Sequence, residues 1–326
     1  VDTAELLVGF AFKHDLHWLK RYGINFRNKP VWDCQIAYYI MSHQQNPDPS
    51  LNQVGNDLKQ GGKNSLIKEE YWDNGIDNDG VAWDKLYEYA LGDSSLTSRV
   101  YWEQERILST FPQMRRLIWM HCQDLMVTQE MEWNGLKYNL TKSRDKAREV
   151  SLEVDKITSV LDSMVTINVE WNSKDHLSAV LYGGIVKRKE RVQFPFVYKD
   201  GRQVLKERWE VVKRSLPRQV EPLRGTEYAK KGYYETNEKV LRLLPTKGKV
   251  RKIIELILER NQLNKLVSTY YNGIPEIYAH YGWQDQIIHG TINHCRTATG
   301  RLASSKPNQQ NMDSRVMECI ESRFKL

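Results

Sequence analysis

The apolar positions in the first third of the chain predict one strand followed by several helices. Residues 6–12 form a short apolar run typical of a buried strand, and a helical pattern that ends at Gly23 follows it. Asp33 is placed as the N-cap of a second helix, and residues 81–108 carry a long helical pattern. This order of elements predicts an α/β domain over residues 1–110.

The rest of the chain is predicted to be mainly helical, with one hairpin. Helical patterns cover residues 114–135, 140–164 and 251–273, and the first and third of them end in Asn-Gly, a common helix stop. Between the second and third helices, Asp200-Gly201 is flanked by alternating apolar residues, which predicts the turn of a β-hairpin.

Basic and aromatic residues are interleaved through this hairpin. Between residues 187 and 214 there are ten Lys and Arg against four Asp and Glu. Such a mixture suits a surface that follows phosphates and offers rings for stacking. The alternative is a solvated two-stranded ribbon whose rings pack on the helices below it. The rings concerned are Phe194, Phe196, Tyr198 and Trp209.

The composition adds a preference for an anionic partner. With 48 Lys and Arg against 41 Asp and Glu, the 326-residue chain has a formal charge of +7 and a pI near 9.0. A basic balance is typical of nucleic-acid-binding proteins, but many enzymes share it. The length allows two domains, and 40% hydrophobic residues indicate a globular rather than a disordered chain.

The cysteines and the apolar runs argue against several classes of protein. The four cysteines are far apart and form no CxxC pair, so we predict neither a disulfide framework nor a zinc site, as in a reducing cytoplasm. No run of about 18 apolar residues predicts a membrane span. No signal peptide is visible at the start of the sequence.

Two aspartates and a tyrosine are candidates for phosphodiester chemistry. Asp15 follows the predicted strand, and Tyr89 and Asp93 are four residues apart, so they share one face of a helix. A two-metal site needs several carboxylates to hold two divalent ions, and two aspartates are too few without further acids. The alternative is that Asp15 is a helix cap and Asp93 a solvated helix residue.

The stretch TATGRLASSKPNQQN, residues 297–311, is rich in uncharged hydrogen-bonding side chains around one arginine. Gly300 precedes Arg301, and a residue without a Cβ lets another chain approach closely. This inventory suits contacts in the minor groove of DNA, where different base pairs share hydrogen-bond acceptors. The alternative is a polar surface loop. The polar side chains are Thr297, Thr299, Ser304, Ser305, Asn308, Gln310 and Asn311.

The same stretch closely resembles TATGRLSSxxPNLQNIP, the signature of family A DNA polymerases of the DNA polymerase I type. Four further segments resemble that family in the same order along the chain. The changes to Gln309 and to Met312-Asp313 within the signature indicate a phage-like or otherwise divergent member. The four segments are MEWNGLKYNL, INVEWNSKDHLSAVLYGG, AKKGYYETNEKVLRLL and ILERNQLNKLVSTYYNGI.

The first domain resembles the 3′→5′ proofreading exonuclease of that family. GFAFKHDLHWL resembles the motif G-x-N-x-K-x-D, and YALGD resembles YxxxD. The resemblance implies that Asp15 and Asp93 are Mg²⁺ ligands and that Tyr89 orients the attacking water. Ala11 stands where the motif has Asn, and the DxE motif that supplies the other carboxylates is expected before Val1.

The resemblance divides the chain into three parts. Residues 1–110 are expected to form the α/β exonuclease domain, ribonuclease H-like and without its first strands. Residues 111–285 are expected to form a mainly α-helical thumb with the basic hairpin inserted at about residues 187–222. Residues 286–326 are expected to begin an α+β palm, and we expect a fragment that lacks the palm carboxylates.

The resemblance implies a DNA-directed DNA polymerase with a proofreading exonuclease, acting in replication or repair in the cytoplasm of a bacterium or a phage-infected host. Its partners would be primer–template DNA, dNTPs and Mg²⁺, with no membrane and an unidentified processivity factor. Lys265 and the basic hairpin would grip the primer–template, and Arg301 with its polar neighbours would contact the primer terminus. The alternative is a non-catalytic DNA-binding subunit or half of a split polymerase, which Ala11 favours.

Overall fold

The computed structural model describes residue 1, residues 3–228 and residues 232–323. They pack as two compact units, each with its own hydrophobic core. This division follows packing, so the assignment of exonuclease, thumb and palm stays a prediction. The first unit comprises Val1–Asn139 and Ile277–Leu326, and the second comprises Leu140–Glu276.

The first part of the first unit has the predicted strand and helices, together with a second short strand. β1 pairs in parallel with β2. β1 is shorter than predicted because Ala11 adopts φ +50° and the chain turns into α1. The elements are β1 (Leu7–Gly9), α1 (Lys13–Arg21), β2 (Val31–Asp33), α2 (Cys34–Met41), α3 (Leu51–Asp57), α4 (Leu66–Glu70), α5 (Trp83–Leu108), α6 (Pro112–Asn134) and β3 (Leu136–Tyr138).

Asp33 is the N-cap of α2, as the sequence predicts. One carboxylate oxygen accepts hydrogen bonds from the backbone N–H groups of Gln35 at 2.8 Å and Ile36 at 3.3 Å. The other accepts the N–H of Phe12 at 2.7 Å, which fixes the turn between β1 and α1. Burial raises the pKa of Asp33, and these three N–H donors oppose the shift.

The second unit is mainly helical and carries the predicted hairpin, which turns at Asp200-Gly201. Arg260 is 7% exposed and donates hydrogen bonds to Thr158 Oγ1 at 2.8 Å and Asn172 Oδ1 at 2.9 Å. It therefore ties two long helices and the loop before α8 together. The elements are α7 (Leu140–Met164), α8 (Lys174–Tyr182), β4 (Gly184–Val197), β5 (Gln203–Leu216), α9 (Glu238–Leu243), α10 (Gly248–Lys265) and a π-helical turn (Leu266–Asn272). The boundary between the units falls within the next helix, α11 (Gly273–His280).

The remaining elements of the first unit are short. β3 is the central strand of an antiparallel three-stranded sheet in the order β6-β3-β9, and β7 pairs with β8 in a separate antiparallel hairpin. The elements are β6 (Ile287–Ile288), β7 (Thr291–Asn293), β8 (Ala303–Ser305), α12 (Ser314–Met317) and β9 (Ile320–Glu321).

The two Asn-Gly stops have different outcomes. Gly135 ends α6 as predicted, with φ +63°. The prediction that Gly273 ends a helix is wrong, because Gly273 has the helical φ of −63° and begins α11. The carbonyl oxygen of Ser268 lies 2.7 Å from where a Cβ on Gly273 would be, so glycine accommodates the π-helical turn here.

Glu132 on α6 joins three segments of the first unit. Its buried carboxylate, 8% exposed, lies 2.6 Å from Lys13 Nζ and 2.9 Å from His17 Nε2, both on α1. It also accepts the backbone N–H of Ile292 in β7 at 2.5 Å, and Lys13 donates a second hydrogen bond to the carbonyl of Ile292. The carbonyl of Glu132 forms a hydrogen bond with His289 Nδ1 at 2.9 Å.

Burial alone raises the pKa of Glu132, but the hydrogen bonds from His17, Ile292 and Lys13 together lower it below its ordinary value. The carboxylate is therefore ionised at neutral pH. A buried charge with donors on several sides is stabilising only while all its partners remain.

We expect Glu132→Gln to lower the free energy of unfolding at pH 7 by about 1.5–3 kcal/mol, the range for hydrogen bonds to a charged group. Urea denaturation measures it. Because the folded pKa of Glu132 lies below its ordinary value, its contribution is complete above that ordinary value and is lost as pH falls through the folded pKa. The difference between wild type and variant should therefore shrink in acid.

Glu318→Gln is the matched control, since Glu318 is exposed and makes no ion pair among the residues that the structure describes. Its effect should be within about 0.5 kcal/mol at every pH. A Glu132→Gln difference that stayed constant down to strongly acidic pH would contradict the role of the carboxylate charge.

Candidate functional site

The hairpin of β7 and β8 carries the predicted polar stretch. Between the two strands the chain turns at Gly300, whose φ of +73° lies in the left-handed region that favours glycine. Thr297 closes the turn, since its hydroxyl donates a hydrogen bond to the carbonyl of Arg301 at 2.8 Å. The N–H of Gly300 donates to the carbonyl of Thr297 at 3.3 Å.

Ser304 organises the second half of the stretch. It is 8% exposed, and its hydroxyl donates to Asn308 Oδ1 at 2.9 Å and accepts the N–H of Gln310 at 3.0 Å. Gln310 Oε1 in turn accepts the N–H of Ser304 at 3.1 Å, and Asn308 Oδ1 also accepts the N–H of Asn311 at 3.3 Å. These side chains fold the loop upon itself, and their predicted contact with DNA is untested.

Arg301 is exposed, and among the residues that the structure describes its guanidinium has no ion pair or hydrogen bond. The structure thus displays a free cation on a loop whose shape is fixed from within. Thr297 and Ser304 are more buried than the rest of the predicted set. The exposed members are Thr299, Arg301, Asn308, Gln310 and Asn311.

Contacts with α2 and the loop after it hold this stretch in place within the first unit. The hydroxyl of Tyr39 donates a hydrogen bond to the carbonyl of Thr297. The N–H of Asp48 donates to the carbonyl of Cys295 at 2.6 Å, and its carboxylate lies 3.5 Å from Arg296 Nε. Segments far apart in sequence therefore position the turn that displays Arg301.

His294 directly follows β7 and links this part of the chain to α6. Its Nε2 lies 2.8 Å from the hydroxyl of Thr128 on α6. Burial, with smaller effects of Lys13 and His121, lowers the pKa of His294 to about 4, so the ring is neutral at neutral pH. A neutral ring avoids adding a second cation beside Lys13.

The second predicted site lies in a cleft of about 1060 Å³ that Asp15 and Asp93 both line. Tyr89 is not among the residues that line the cleft, but Tyr89 and Asp93 share one contact, the ammonium of Lys63. Its Nζ lies 2.6 Å from Asp93 Oδ2 and 2.7 Å from the hydroxyl of Tyr89. Phe12 is the N-cap of α1 and Asp15 lies in the first turn, so the interpretation of Asp15 as the cap residue is wrong, although the helix dipole favours an acid at this position.

The charges in this cleft decide whether it fits a metal ion. Burial alone lowers the pKa of Lys63, but the hydrogen bonds with Asp93 and Tyr89 hold it above its ordinary value, so the ammonium is charged at neutral pH. Desolvation raises the pKa of Asp15, against smaller effects of His14 and a backbone N–H. A divalent ion on Asp93 would meet the Lys63 charge at contact distance.

Within the described residues, no three His, Cys, Asp or Glu side chains are grouped so that they could hold a metal ion. Asp93 in contact with an ammonium, with Asp15 as a second aspartate of the cleft, does not fit a Mg²⁺ site, and no chemical step through a metal is derived from it. The predicted roles of Asp15, Tyr89 and Asp93 in exonuclease chemistry stay predictions.

Lys265 belongs to the second unit. It is the last residue of α10, is exposed, and makes no ion pair within the described part of the chain. The π-helical turn follows it directly. Residues 229–231, which begin the segment AKKGYYETNEKVLRLL, lie outside the described residues.

Sequence reasoning did not single out Glu132 or Lys63. Glu132 lies in the segment MEWNG, where a carboxylate beside an apolar helix face is a weak signal for a buried ion pair. Lys63 lies in a polar loop between Gly62 and Asn64, and no local pattern connects it with Asp93.

Comparison with known proteins identifies the relatives of the chain. Residues 141–324, more than half of the 326-residue chain, match the family described as DNA polymerase family A. DNA polymerase I of Bacillus subtilis is 23% identical over 316 residues, which are 95% of this chain and 30% of that protein. DNA polymerase I of Synechocystis is 48% identical over 63 residues, 19% of this chain and 6% of that protein. The chain thus spans less than a third of either relative.

A similar solved structure is the POL domain of Pol1 from M. smegmatis, in complex with DNA primer-template and dNTP. The TM-score is 0.64 at 17% identity, and the match covers 94% of this chain and 42% of that one. At this identity the likeness concerns the fold. In the described part of the chain, no helix has the length and apolar character of a membrane span.

The Lys63 contacts lead to a stability prediction. We expect Lys63→Met to lower the free energy of unfolding at pH 7 by up to about 1 kcal/mol, because Asp93 loses the ammonium and the pair is partly exposed. Urea denaturation measures it, and added salt should reduce the difference. Lys68→Met is the control, since Lys68 is exposed and has no ion pair among the described residues. Equal stabilities of the two variants would contradict the prediction.

Proposed function

The chain belongs to DNA polymerase family A, and we propose that it supplies part of a DNA-directed DNA polymerase that binds primer–template DNA. The observation that carries the proposal is the loop of residues 297–311, which displays Arg301 without an internal partner. In this proposal residues 111–285 act as the thumb and residues 286–326 begin the palm.

The loop suits a primer terminus because its shape is set before DNA arrives. Ser304, Asn308 and Gln310 bond with one another, so ordering of the loop does not have to accompany binding. Arg301 is then free to donate to acceptors in the minor groove, whose positions are common to different base pairs. Such contacts depend on correct pairing of the bases but not on the base sequence. Thr299 beside it adds an exposed hydroxyl.

Lys265 contributes to the same function from the thumb. As an exposed, unpaired cation at the end of α10, it suits a phosphate of the primer–template backbone. Polymerases of this family generally use divalent metal ions. The role proposed for the residues of this chain is to bind and orient DNA, with dNTP as the further substrate of the whole protein.

We propose that residues 1–110 are related to the proofreading exonuclease, with Asp15, Tyr89 and Asp93 at its site, and that the protein is phage-like. The Lys63–Asp93 pair favours the second candidate, a first segment without nuclease activity.

The nuclease assignment predicts that Asp15→Ala and Asp93→Ala reduce Mg²⁺-dependent degradation of a primer by the protein that contains this chain. The measurement is release of labelled nucleotides from the 3′ end. Glu318→Gln is the control that should retain wild-type degradation. Equal degradation by wild type and both alanine variants would contradict the assignment and support the second candidate.

We expect Arg301→Ala to weaken binding of a labelled primer–template duplex by about 1–3 kcal/mol, with thermal stability unchanged because the guanidinium has no internal partner. Fluorescence anisotropy at a fixed salt concentration measures the affinity. Arg116→Ala is the matched control, since Arg116 is exposed on α6 and also has no ion pair within the described residues. Equal affinities of the two variants would contradict the proposed function.

A further inference from the structure

The hairpin of β4 and β5 is a long two-stranded ribbon. Each strand has 14 residues, and pairing continues from Gly184↔Leu216 to Val197↔Gln203. At the usual rise per residue, each strand spans roughly 45 Å. The ribbon packs against α8, while its outer part has no third strand. Two broad faces are therefore available.

On one face, here called the aromatic face, aromatic rings contact Lys and Arg side chains of the same hairpin. Directly paired residues lie on the same face of an antiparallel ribbon, which places three rings of β4 and the turn on one face with Arg202, Lys206 and Arg208. The cations of this face are therefore compensated inside the ribbon except for Arg188, which makes no ion pair or cation–π contact among the described residues. Lys206 Nζ lies 3.7 Å from the ring centroid of Phe196, Arg202 lies 4.8 Å from Tyr198, and Arg208 lies 4.9 Å from Phe194.

This arrangement argues against packing of three of the hairpin rings on the helices of the second unit, and stacking of those rings on a ligand stays a prediction. Phe194, Phe196 and Tyr198 contact cations of the ribbon itself, and they are not part of the apolar cluster of the second unit. Ion pairs add to the compensation, since Arg214 lies 2.9 Å from Glu190 and Arg208 contacts Glu210.

The opposite face, here called the lysine face, is different. Lys187, Lys189 and Lys213 are exposed and make no ion pair or cation–π contact among the described residues. Arg191 lies 5.2 Å from the ring centroid of Trp209 and 3.6 Å from Glu207. This face thus has four cations against one carboxylate, that of Glu207.

Two features of the lysine face are unfavourable for the free protein. Lys187 is paired directly with Lys213, and like charges opposite each other destabilise a β-ribbon. Trp209 is 64% exposed although its ring adds nothing to the apolar cores. Arg191 covers one side of the ring, so the exposed area lies largely on the other.

We propose that the lysine face binds single-stranded nucleic acid, with its phosphates along Lys187, Lys189 and Lys213 and a base stacked on Trp209. An anionic strand removes the repulsion between the paired lysines, and lysines two residues apart along β4 repeat at about 6.6 Å, which suits successive phosphates. The exposed Trp209 ring can stack only on a base that is not already stacked between its neighbours, and such bases occur in a single strand rather than in a duplex.

The proposal deepens the proposed DNA-binding function, but it uses residues separate from Arg301. Failure of the two ideas is therefore distinguishable. If Arg301→Ala weakens duplex binding while changes in the lysine face alter nothing, this proposal is overturned and the proposed function stands.

The test measures binding of a labelled oligothymidine to the whole chain across a range of salt concentrations. The double variant Lys189→Gln/Lys213→Gln should bind more weakly, and the slope of log K against log salt should decrease in magnitude by about 1.4, as two phosphate contacts on a single strand require. The matched control is Lys59→Gln/Lys68→Gln, two exposed lysines of the first unit without ion pairs among the described residues. An equal slope in both double variants would overturn the proposal.

Trp209 separates single-strand binding from general attraction to polyanions. Trp209→Ala should weaken oligothymidine binding about 5- to 150-fold, the effect of one lost base stack, and Trp209→Phe should restore most of it. Heparin binding should not respond to Trp209→Ala. Unchanged oligothymidine binding by Trp209→Ala, or a loss of duplex binding by Trp209→Ala as large as its loss of oligothymidine binding, would overturn the assignment.

A last variant tests which face binds. Lys206→Gln removes a cation from the aromatic face and should leave oligothymidine affinity within about twofold while lowering the melting temperature, because its cation–π contacts are internal. Loss of affinity as large as that of the lysine-face variant would place the nucleic acid on the aromatic face instead and overturn the proposal.

Discussion

The ionised carboxylate of Glu132 is the contact on which the first unit depends. It lies on α6, accepts hydrogen bonds from α1 and from β7, and is too buried for water to replace those donors. The strand that leads to Arg301 is therefore fixed against the beginning of the chain by a charge with several partners. Because a lost partner leaves a buried charge uncompensated, loss of the contact with one segment weakens the attachment of the other two.

Local chemistry explains which parts of the fold could be predicted. Asp33 caps α2 through N–H groups two and three residues away, Gly135 ends α6, and Asp200-Gly201 turns the hairpin. In each case the partner atoms lie within a few residues, so the signal is contained in a short window.

The contacts that shape the candidate site join residues that are far apart in the sequence. Glu132 and Ile292 are 160 residues apart, and Tyr39 and Thr297 are 258 residues apart, so no window contains both partners. Gly273 shows a second limit, since Asn-Gly is a common stop but also allows a π-helical turn to approach its own carbonyl. The side chains of the loop 297–311 could be named from the sequence, but not which of them would be bonded internally.

A cation that already contacts a carboxylate or a ring within the protein has a structural role, whereas a cation without such a partner can bind a ligand. Lys13, Lys63 and Lys206 are held by a carboxylate or a ring inside their own unit, and their charge is largely compensated there. Arg301 and Lys265 have no such partner among the described residues, and each lies beside a segment of irregular or strained backbone. Among the described residues, Arg301 and Lys265 are thus two of the cations whose charge is available to a ligand.

The contacts between cations and rings also explain how the β4–β5 hairpin can be stable and still bind a polyanion. The aromatic face places rings against cations, which stabilises the ribbon without a third strand, although two-stranded ribbons alone are marginal. With one face supplying stability, the other can keep like charges in direct register, as Lys187 and Lys213 do. Repulsion of that kind is relieved by a polyanion and by nothing inside the ribbon, so the ligand preference follows from the register of the strands.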